Sequence, residues 1–195
     1  MTSNKHYNNE YKLPLTPQIA IINDIYKIQY KQNKSLKICY LNARSIWNKI
    51  DDIQHTLNTI SQNNKNRSVH IIAITEHWIN TEEAKLFTFE NHSTVLSTRI
   101  SKKGGGSGIF IKKNSCIYDV IKQYSDDENS ITSIKIKYNN EQYIITCIYR
   151  APTNNTNKTD QFFQILANYL KTIGNIKHYC IGDFNINMLK TIKPQ

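Results

Sequence analysis

Short apolar runs separated by polar turns make up most of the chain. Runs at residues 36–41, 69–75, 108–113, 116–122, 131–138, 143–150 and 178–181 are rich in Ile, Tyr and Val. Their length and bounding polar residues predict buried or half-buried strands. Asn139-Asn140 lies between two of these runs, which predicts a hairpin turn there.

Two segments have the spacing of helices instead. The first carries one apolar stripe behind Ser45, the expected N-cap, and the stripe comprises Ile46, Ile50, Ile53, Leu57 and Ile60. The second spans residues 160–173, and its apolar face comprises Phe162, Leu166, Tyr169 and Ile173. The order is β-α-β, then a run of strands, then α-β. This order predicts an α/β fold in which two sheets pack face to face with helices outside.

The composition favours one domain with a polyanionic partner. The length of 195 residues suits one domain with a substantial core. Lys and Arg total 25 against 15 Asp and Glu, so the formal net charge is +10. A basic balance of this size favours nucleic acid as a partner, and a Lys-rich solvated surface is the alternative. Residues 1–34 are polar, with a helix expected at 17–30, and predict a loosely attached leader.

The cysteines and the apolar runs indicate an intracellular protein without a membrane span. Cys39, Cys116, Cys147 and Cys180 are far apart in apolar runs, so buried free thiols are expected and no disulfide partner is predicted. No apolar run approaches the ~20 residues that a membrane span needs. The first residues lack the apolar core of a secretory signal.

Polar groups that can do chemistry follow three of the predicted strands. Asp183 and Asn185 come directly after the run at 178–181, two residues apart, so they share one side of the sheet. Asn42 follows the first run and Glu76 follows the second. Three such strand exits predict one shared site. The alternatives are a surface position for Glu76 and a simple Asx turn at Asp183-Phe184-Asn185.

Five motifs, in order, resemble those of the endonuclease/exonuclease/phosphatase superfamily, and more closely the endonuclease domain of jockey-like non-LTR retrotransposons. They lie at residues 41–45 (LNARS), 74–78 (ITEHW), 104–109 (GGGSGI), 148–152 (IYRAP) and 181–187 (IGDFNIN). The resemblance covers about residues 35–190, leaving 191–195 as a tail. It implies a DNase I-like four-layer α/β/β/α sandwich and a Mg²⁺-dependent phosphodiesterase that nicks DNA, nuclear if functional.

The resemblance also implies roles for individual residues. Glu76 and Asn42 are expected to hold Mg²⁺, with Mn²⁺ as an alternative, because hard cations prefer oxygen ligands. Asp183 is expected to accept a proton from the attacking water, and Asn185 and Tyr149 to hold the phosphate. The DNA contacts are assigned to Lys102, Lys103 and Arg150.

Two neighbouring features receive no catalytic role. His77 stands where many relatives carry Thr, so it is assigned none. The run Gly104-Gly105-Gly106 lacks the GK[ST] ending of a phosphate loop, which predicts a flexible connection into the next strand.

One part of the superfamily pattern is missing from the sequence. Relatives complete the site with a C-terminal Asp and His, and residues 188–195 contain neither. The domain is therefore expected to be incomplete at its C-terminus, with impaired activity. A catalytically silent, basic nucleic-acid-binding remnant is the alternative function. A phosphatase or phospholipase of the same superfamily is disfavoured by the run at 149–152 and by the basic charge.

Overall fold

The computed structural model describes residues 35–63 and 68–186. These residues form eight strands and three helices, which are β1 (Ile38–Asn42), α1 (Ile50–Asn63), β2 (Ile71–Thr75), α2 (Thr81–Leu86), β3 (His92–Ser97), β4 (Ser107–Lys112), β5 (Ile117–Ser125), β6 (Asn129–Tyr138), β7 (Glu141–Arg150), α3 (Thr156–Lys171) and β8 (Lys177–Asp183). The predicted leader, its helix at 17–30 and the tail at 191–195 lie outside the described residues.

The strands form two four-stranded mixed sheets. The first has the order β1-β2-β4-β3 and the second the order β5-β6-β7-β8. β1 runs parallel to β2, and β7 runs parallel to β8. The other neighbours are antiparallel. The C-terminal ends of β1, β2 and β8 carry the polar residues singled out in the sequence, so the topology decides whether those residues meet.

Three apolar cores separate four layers. The first core joins α1 and the segment after α2 to the first sheet, through residues such as Ile53, Phe87 and Ile72. The second core lies between the two sheets. The third joins α3 to the second sheet and includes Phe162, whose side chain is almost fully buried. The predicted α/β/β/α sandwich is confirmed.

The hairpin between β6 and β7 turns at Asn139-Asn140, as predicted. Both residues have positive φ, 49° and 64°, and Tyr138 pairs with Glu141 across the turn. Asn tolerates this left-handed conformation better than most residues, because its short side chain can bond locally. The turn sets the register of the longest strand pair in the protein.

The first helix begins later than the spacing predicts. α1 starts at Ile50, not directly after Ser45. Ser45 has φ 83°, and its N–H donates to the carbonyl of Glu76 at 2.9 Å, so it does not cap a helix. Ile46 is fully buried in the first core but belongs to the turn before the helix. The predicted helix start is therefore wrong, because the chain first bends across the end of β2.

The remaining differences concern short or peripheral segments. α3 begins before the predicted residue 160, at Thr156, where the Asn155 side chain accepts the N–H of Lys158 at 3.2 Å. α2 and β3 are absent from the prediction. All four cysteines are free. Cys39 and Cys147 are buried as expected, but Cys116 is only half-buried and Cys180 is exposed on the edge strand β8, so the expected burial is wrong for Cys180. No helix within the described residues is long and apolar enough to cross a membrane.

Candidate active site

Asn42, Glu76 and Asp183 meet where β1, β2 and β8 end. The Asn42 amide Nδ2 donates to Glu76 Oε1 at 3.0 Å and to Asp183 Oδ2 at 3.0 Å. Asn42 and Asp183 are 141 positions apart and belong to different sheets. The structure therefore brings together the polar groups of all three predicted strand exits, with Asn42 between the two carboxylates.

The free side of the Asn42 amide fits a cation. Its Oδ1 is buried and has no hydrogen-bond partner, and a buried carbonyl oxygen left in this way is costly unless something binds it. Among the described residues no group of three or more His, Cys, Asp or Glu side chains could hold a metal. The oxygens available here come from two carboxylates and one amide. Mg²⁺ is commonly bound by one or two carboxylates together with water and phosphate oxygens, so this set fits it.

Glu76 lies in a tight turn that its neighbours hold from two sides. Its φ is +53° and that of Trp78 is +60°, a conformation that non-glycine residues adopt at some cost. On one side, the N–H groups of Glu76 and Trp78 donate to the carbonyls of Gly106 at 2.9 Å and Gly105 at 3.1 Å. On the other side, the Glu76 carbonyl accepts from Ser45. The glycine run predicted as a flexible connection thus fixes the Glu76 turn.

His77 anchors the same turn from inside the protein. It is fully buried, and its Nδ1 accepts the N–H of Ile79 at 3.0 Å. Nε2 then carries the hydrogen and donates to the carbonyl of Ser97 at 3.2 Å. Burial lowers the pKa of His77 from 6.5 to about 4, so the ring is neutral at pH 7. With both nitrogens engaged, His77 is a positioning residue.

Asp183 is oriented by its own turn. Asp183 Oδ1 accepts the N–H of Asn185 at 3.1 Å. The preceding Gly182 lies against β7 so closely that a Cβ there would stand 1.9 Å from the carbonyl oxygen of Ile148. Asn185 is exposed, with φ +47°, and its Nδ2 donates to the Arg150 carbonyl at 2.7 Å. One hydrogen of the Asn185 amide remains for another acceptor.

Arg150 supports this turn from inside the protein. Its guanidinium donates to the carbonyls of Phe184 at 2.7 Å and Asn185 at 2.6 Å, and to Thr159 Oγ1 at 3.2 Å. Only 3% of the residue is exposed. The described contacts make Arg150 a residue that holds the turn, and its contact with DNA stays a prediction. Adjacent residues of a strand point to opposite faces, so Arg150 faces α3 while Tyr149 faces the site.

Tyr149 is paired with Asp183 across β7 and β8. It is buried, and burial is the main cause of its raised pKa; the charges of Glu76 and Asp183 raise it further, while Arg99 lowers it. The hydroxyl is therefore a neutral donor at pH 7. Arg99 was not singled out from the sequence. A Cβ on Gly105 would stand 2.5 Å from Arg99 Cδ and 2.6 Å from Tyr149 Cε1, so this glycine fits between the two side chains.

Lys102 and Lys103 lie beside the cluster. Both are exposed on the loop that precedes the glycine run. With Trp78 and Arg99 they line a groove of about 400 Å³. Lys102 Nζ is 3.8 Å from Glu128 Oε1, an ion pair at the outer edge of contact. The structure places neither lysine among Asn42, Glu76 and Asp183.

No family model and no curated protein matches the sequence. Solved structures do match. A humanised D. rerio TDP2 aligns with 81% of this chain and 65% of its own at 11% identity and a TM-score of 0.56. D. rerio TDP2 complexed with single-strand DNA product aligns with 78% of this chain and 61% of its own, at 10% identity and a TM-score of 0.54.

A retrotransposon endonuclease is also among the matching structures. The endonuclease domain of TRAS1, a telomere-specific non-LTR retrotransposon, aligns with 78% of this chain and 60% of its own at 15% identity and a TM-score of 0.51. The chain spans about three-fifths to two-thirds of the length of these structures. At such identities the likeness shows the fold alone, and the α/β/β/α sandwich that it shares with these structures is the DNase I-like arrangement expected from the motifs.

Proposed function

We propose that this chain carries a divalent-metal-dependent phosphodiesterase site that nicks DNA. The observation that carries the proposal is the pair of hydrogen bonds from Asn42 Nδ2 to Glu76 and Asp183, with the carbonyl oxygen of the same amide left buried and unpartnered. Side chains from two sheets converge here on one small volume. Two carboxylates held close to one another repel, and such like-charge pairs are characteristic of functional sites.

The residues present divide into a cation-binding group and a phosphate-binding group. Glu76 and the Asn42 carbonyl oxygen would hold Mg²⁺, or Mn²⁺ in its place. Such a cation neutralises the charge that develops on a phosphate during attack. Tyr149 would donate its hydroxyl hydrogen to a phosphate oxygen, and Asn185 the second hydrogen of its amide.

Asp183 would accept the proton of the attacking water. Each of its oxygens already accepts one hydrogen bond in the structure, from Asn42 or from Asn185. A carboxylate oxygen has two lone pairs, so each retains one for water. The two existing bonds fix the direction in which the remaining lone pairs point. A general base held in this way needs no rearrangement when the substrate arrives.

DNA is the proposed substrate. The net charge of +10 favours a polyanion, and the TRAS1 domain and the DNA complex of TDP2 share the fold. Impaired activity, as expected from the sequence, stays part of the proposal. His77, next to Glu76, has both ring nitrogens engaged inside the protein, so it is not among the groups proposed to act on the phosphate.

Nicking of supercoiled plasmid tests the proposal on the 195-residue chain. Wild type, Glu76→Gln and the control Glu82→Gln are compared in Mg²⁺, in Mn²⁺ and in EDTA. Glu82 is exposed on α2 and pairs with Lys85, so its variant should match wild type. We expect metal-dependent open-circle product from wild type, and a loss of about 100-fold or more in Glu76→Gln.

DNA binding measured in parallel separates the two candidate functions. Binding with no nicking in either metal would overturn the catalytic proposal and favour the silent nucleic-acid-binding alternative. Nicking at the wild-type rate by Glu76→Gln would remove this cluster from the chemistry. Filter binding at several salt concentrations provides the affinity independently of turnover.

A further inference from the structure

The groove beside the cluster has one aromatic wall and several cations. It measures about 400 Å³ and runs between the start of α2 and the loop at residues 99–104. Trp78 forms the aromatic wall, and Arg99, Lys102 and Lys103 supply the positive charges. One acidic side chain, Glu83, also lines it, and its carboxylate accepts the N–H of Asn80 at 2.9 Å. The charge balance within the groove is therefore positive.

We propose that this groove binds an unstacked nucleobase of a DNA strand, with Trp78 as the stacking surface. This inference rests on the proposed function, because Trp78 follows Glu76 by two residues and the base would flank the phosphate held at the cluster. It adds a substrate subsite and a residue that selects single-stranded or locally opened DNA. The volume lies within the range typical of small-ligand sites and accommodates a base.

The position of Trp78 is fixed by the backbone rather than by burial of its ring. Its φ is +60°, and its N–H is bonded to Gly105. A Cβ on Gly104 would stand 3.5 Å from the indole Nε1, so the glycine backbone lies alongside the ring. The residue nevertheless remains 39% exposed. A large aromatic side chain held in place with part of its surface open provides a preformed platform for a base.

The cations complement the backbone of a strand whose base enters the groove. Lys102 and Lys103 are exposed at the rim, where phosphates of the same strand would pass. Arg99 is held in place by the protein, because its Nε donates a hydrogen bond of 2.8 Å to the Asp127 carbonyl. Stacking against an aromatic ring combined with a positive rim is the usual way in which proteins hold single strands without reading sequence.

The second tryptophan provides a matched control. Trp47 is 48% exposed, slightly more than Trp78, and stacks edge-on against Phe87 with ring centroids 5.4 Å apart. It does not line the groove. The chain has two tryptophans, so Trp47→Phe leaves Trp78 as the only indole fluorophore, and Trp78→Phe leaves Trp47.

Fluorescence of these single-tryptophan variants in EDTA tests the proposal without turnover. A short single-stranded oligonucleotide should quench Trp78 strongly and leave Trp47 almost unchanged. An abasic oligonucleotide of equal length and charge should quench neither. Equal quenching of both tryptophans, or equal quenching of Trp78 by the abasic strand, would overturn the proposal.

Affinity provides a second readout. Trp78→Ala should weaken binding of the normal oligonucleotide about 5-fold or more and leave the abasic one unchanged, while Trp78→Phe should fall between. Unchanged affinity in Trp78→Ala would contradict the stacking role. Should Trp78→Ala fail to fold, Trp78→Phe and the quenching data decide. Base-dependent binding without any nicking would support this subsite and contradict the proposed catalysis. Failure of the subsite and failure of the catalytic proposal are therefore distinguishable.

Discussion

The side-chain amide of Asn42 donates a hydrogen bond of 3.0 Å to Oδ2 of Asp183, across the gap between the two sheets. The same Nδ2 donates its second hydrogen to Glu76 Oε1, also at 3.0 Å. An amide has two hydrogens and one oxygen, so it can hold two carboxylates and still offer an oxygen to a cation. An aspartate in this position offers oxygens but no hydrogens.

Asn42→Asp should therefore make stability depend on metal. In EDTA the variant loses two hydrogen bonds to carboxylates and adds a third negative charge, so the free energy of unfolding should fall by about 2 kcal/mol or more. Millimolar Mg²⁺ should recover most of that loss, because a ligand that binds only the folded state stabilises it. Thermal denaturation with and without Mg²⁺ measures both effects.

Asn58→Asp is the control for Asn42→Asp. Asn58 is exposed on α1, so its variant should change stability by less than about 0.5 kcal/mol in either condition. A loss in Asn42→Asp that is equal in EDTA and in Mg²⁺ would contradict the prediction that an aspartate at this position gains more stability from the cation than the asparagine does.

Gly106→Ala should destabilise the protein far more than Gly174→Ala. Both glycines have positive φ, +90° and +67°, but a Cβ on Gly106 would stand 2.3 Å from His77 Nε2, whereas one on Gly174 meets nothing within 4 Å. Gly174→Ala should cost about 1 kcal/mol from backbone strain. Gly106→Ala should cost at least twice as much, measured by chemical denaturation. Equal losses of unfolding free energy in the two variants would show that the His77 side chain moves aside at no measurable cost.

The strand ends could be predicted from sequence because apolar runs stop at polar residues there. Asn42, Glu76 and Asp183 were found in this way, and a parallel pair brings its C-terminal ends to one edge of a sheet. Tyr149 and Arg150 show what the sequence prediction left out. Adjacent residues of a strand point to opposite faces, and the prediction gave both side chains a place at one site without using this alternation.

The contacts that hold the Glu76 turn could not be predicted in the same way. Gly106 contacts His77 only because β4 pairs with β2. The residues near Gly106 in the sequence do not indicate which strand β4 pairs with. α2 escaped prediction because it is short and polar, although the pair Asn80 and Glu83 is the signature of a capping box. Trp78 shows no apolar periodicity, so its groove became visible only in the structure.

Protonation of His77 should make the protein less stable in mild acid. Its pKa is about 4 in the folded protein, against 6.5 ordinarily. The unfolded chain therefore binds more protons between pH 6.5 and 4, and the free energy of unfolding should fall across that interval by about 3 kcal/mol from this residue. Burial lowers the pKa of His70 to about 4 as well, which adds a separate contribution.

His77→Asn should remove the His77 part of this pH dependence. The readout is the slope of unfolding free energy against pH, because the variant also loses hydrogen bonds at neutral pH. His55→Asn, on the exposed face of α1, is the matched control for exchanging a histidine for an asparagine. A slope in His77→Asn equal to that of wild type would contradict the buried neutral state.

Arg150→Lys should loosen the turn that orients Asp183. A lysine cannot reproduce the fork that bonds Phe184, Asn185 and Thr159 together. The free energy of unfolding should fall by about 2 kcal/mol. The backbone N–H of Asn185 should also exchange its hydrogen with solvent faster than in wild type. Arg44→Lys, at an exposed position, should do neither. Retention of slow exchange at Asn185 would show that Arg150 does not hold the turn.

Counting the Mn²⁺ ions bound by the purified chain tests the central claim most directly. Electron paramagnetic resonance of free Mn²⁺ provides stoichiometry and affinity for wild type, Glu76→Gln, Asp183→Asn and the control Glu82→Gln. The cluster predicts one site in wild type and in Glu82→Gln, an affinity at least about 10-fold weaker in Glu76→Gln, and a smaller loss in Asp183→Asn, which removes a neighbouring negative charge but not a proposed ligand. Absence of binding in wild type, or unchanged affinity in both cluster variants, would contradict the account.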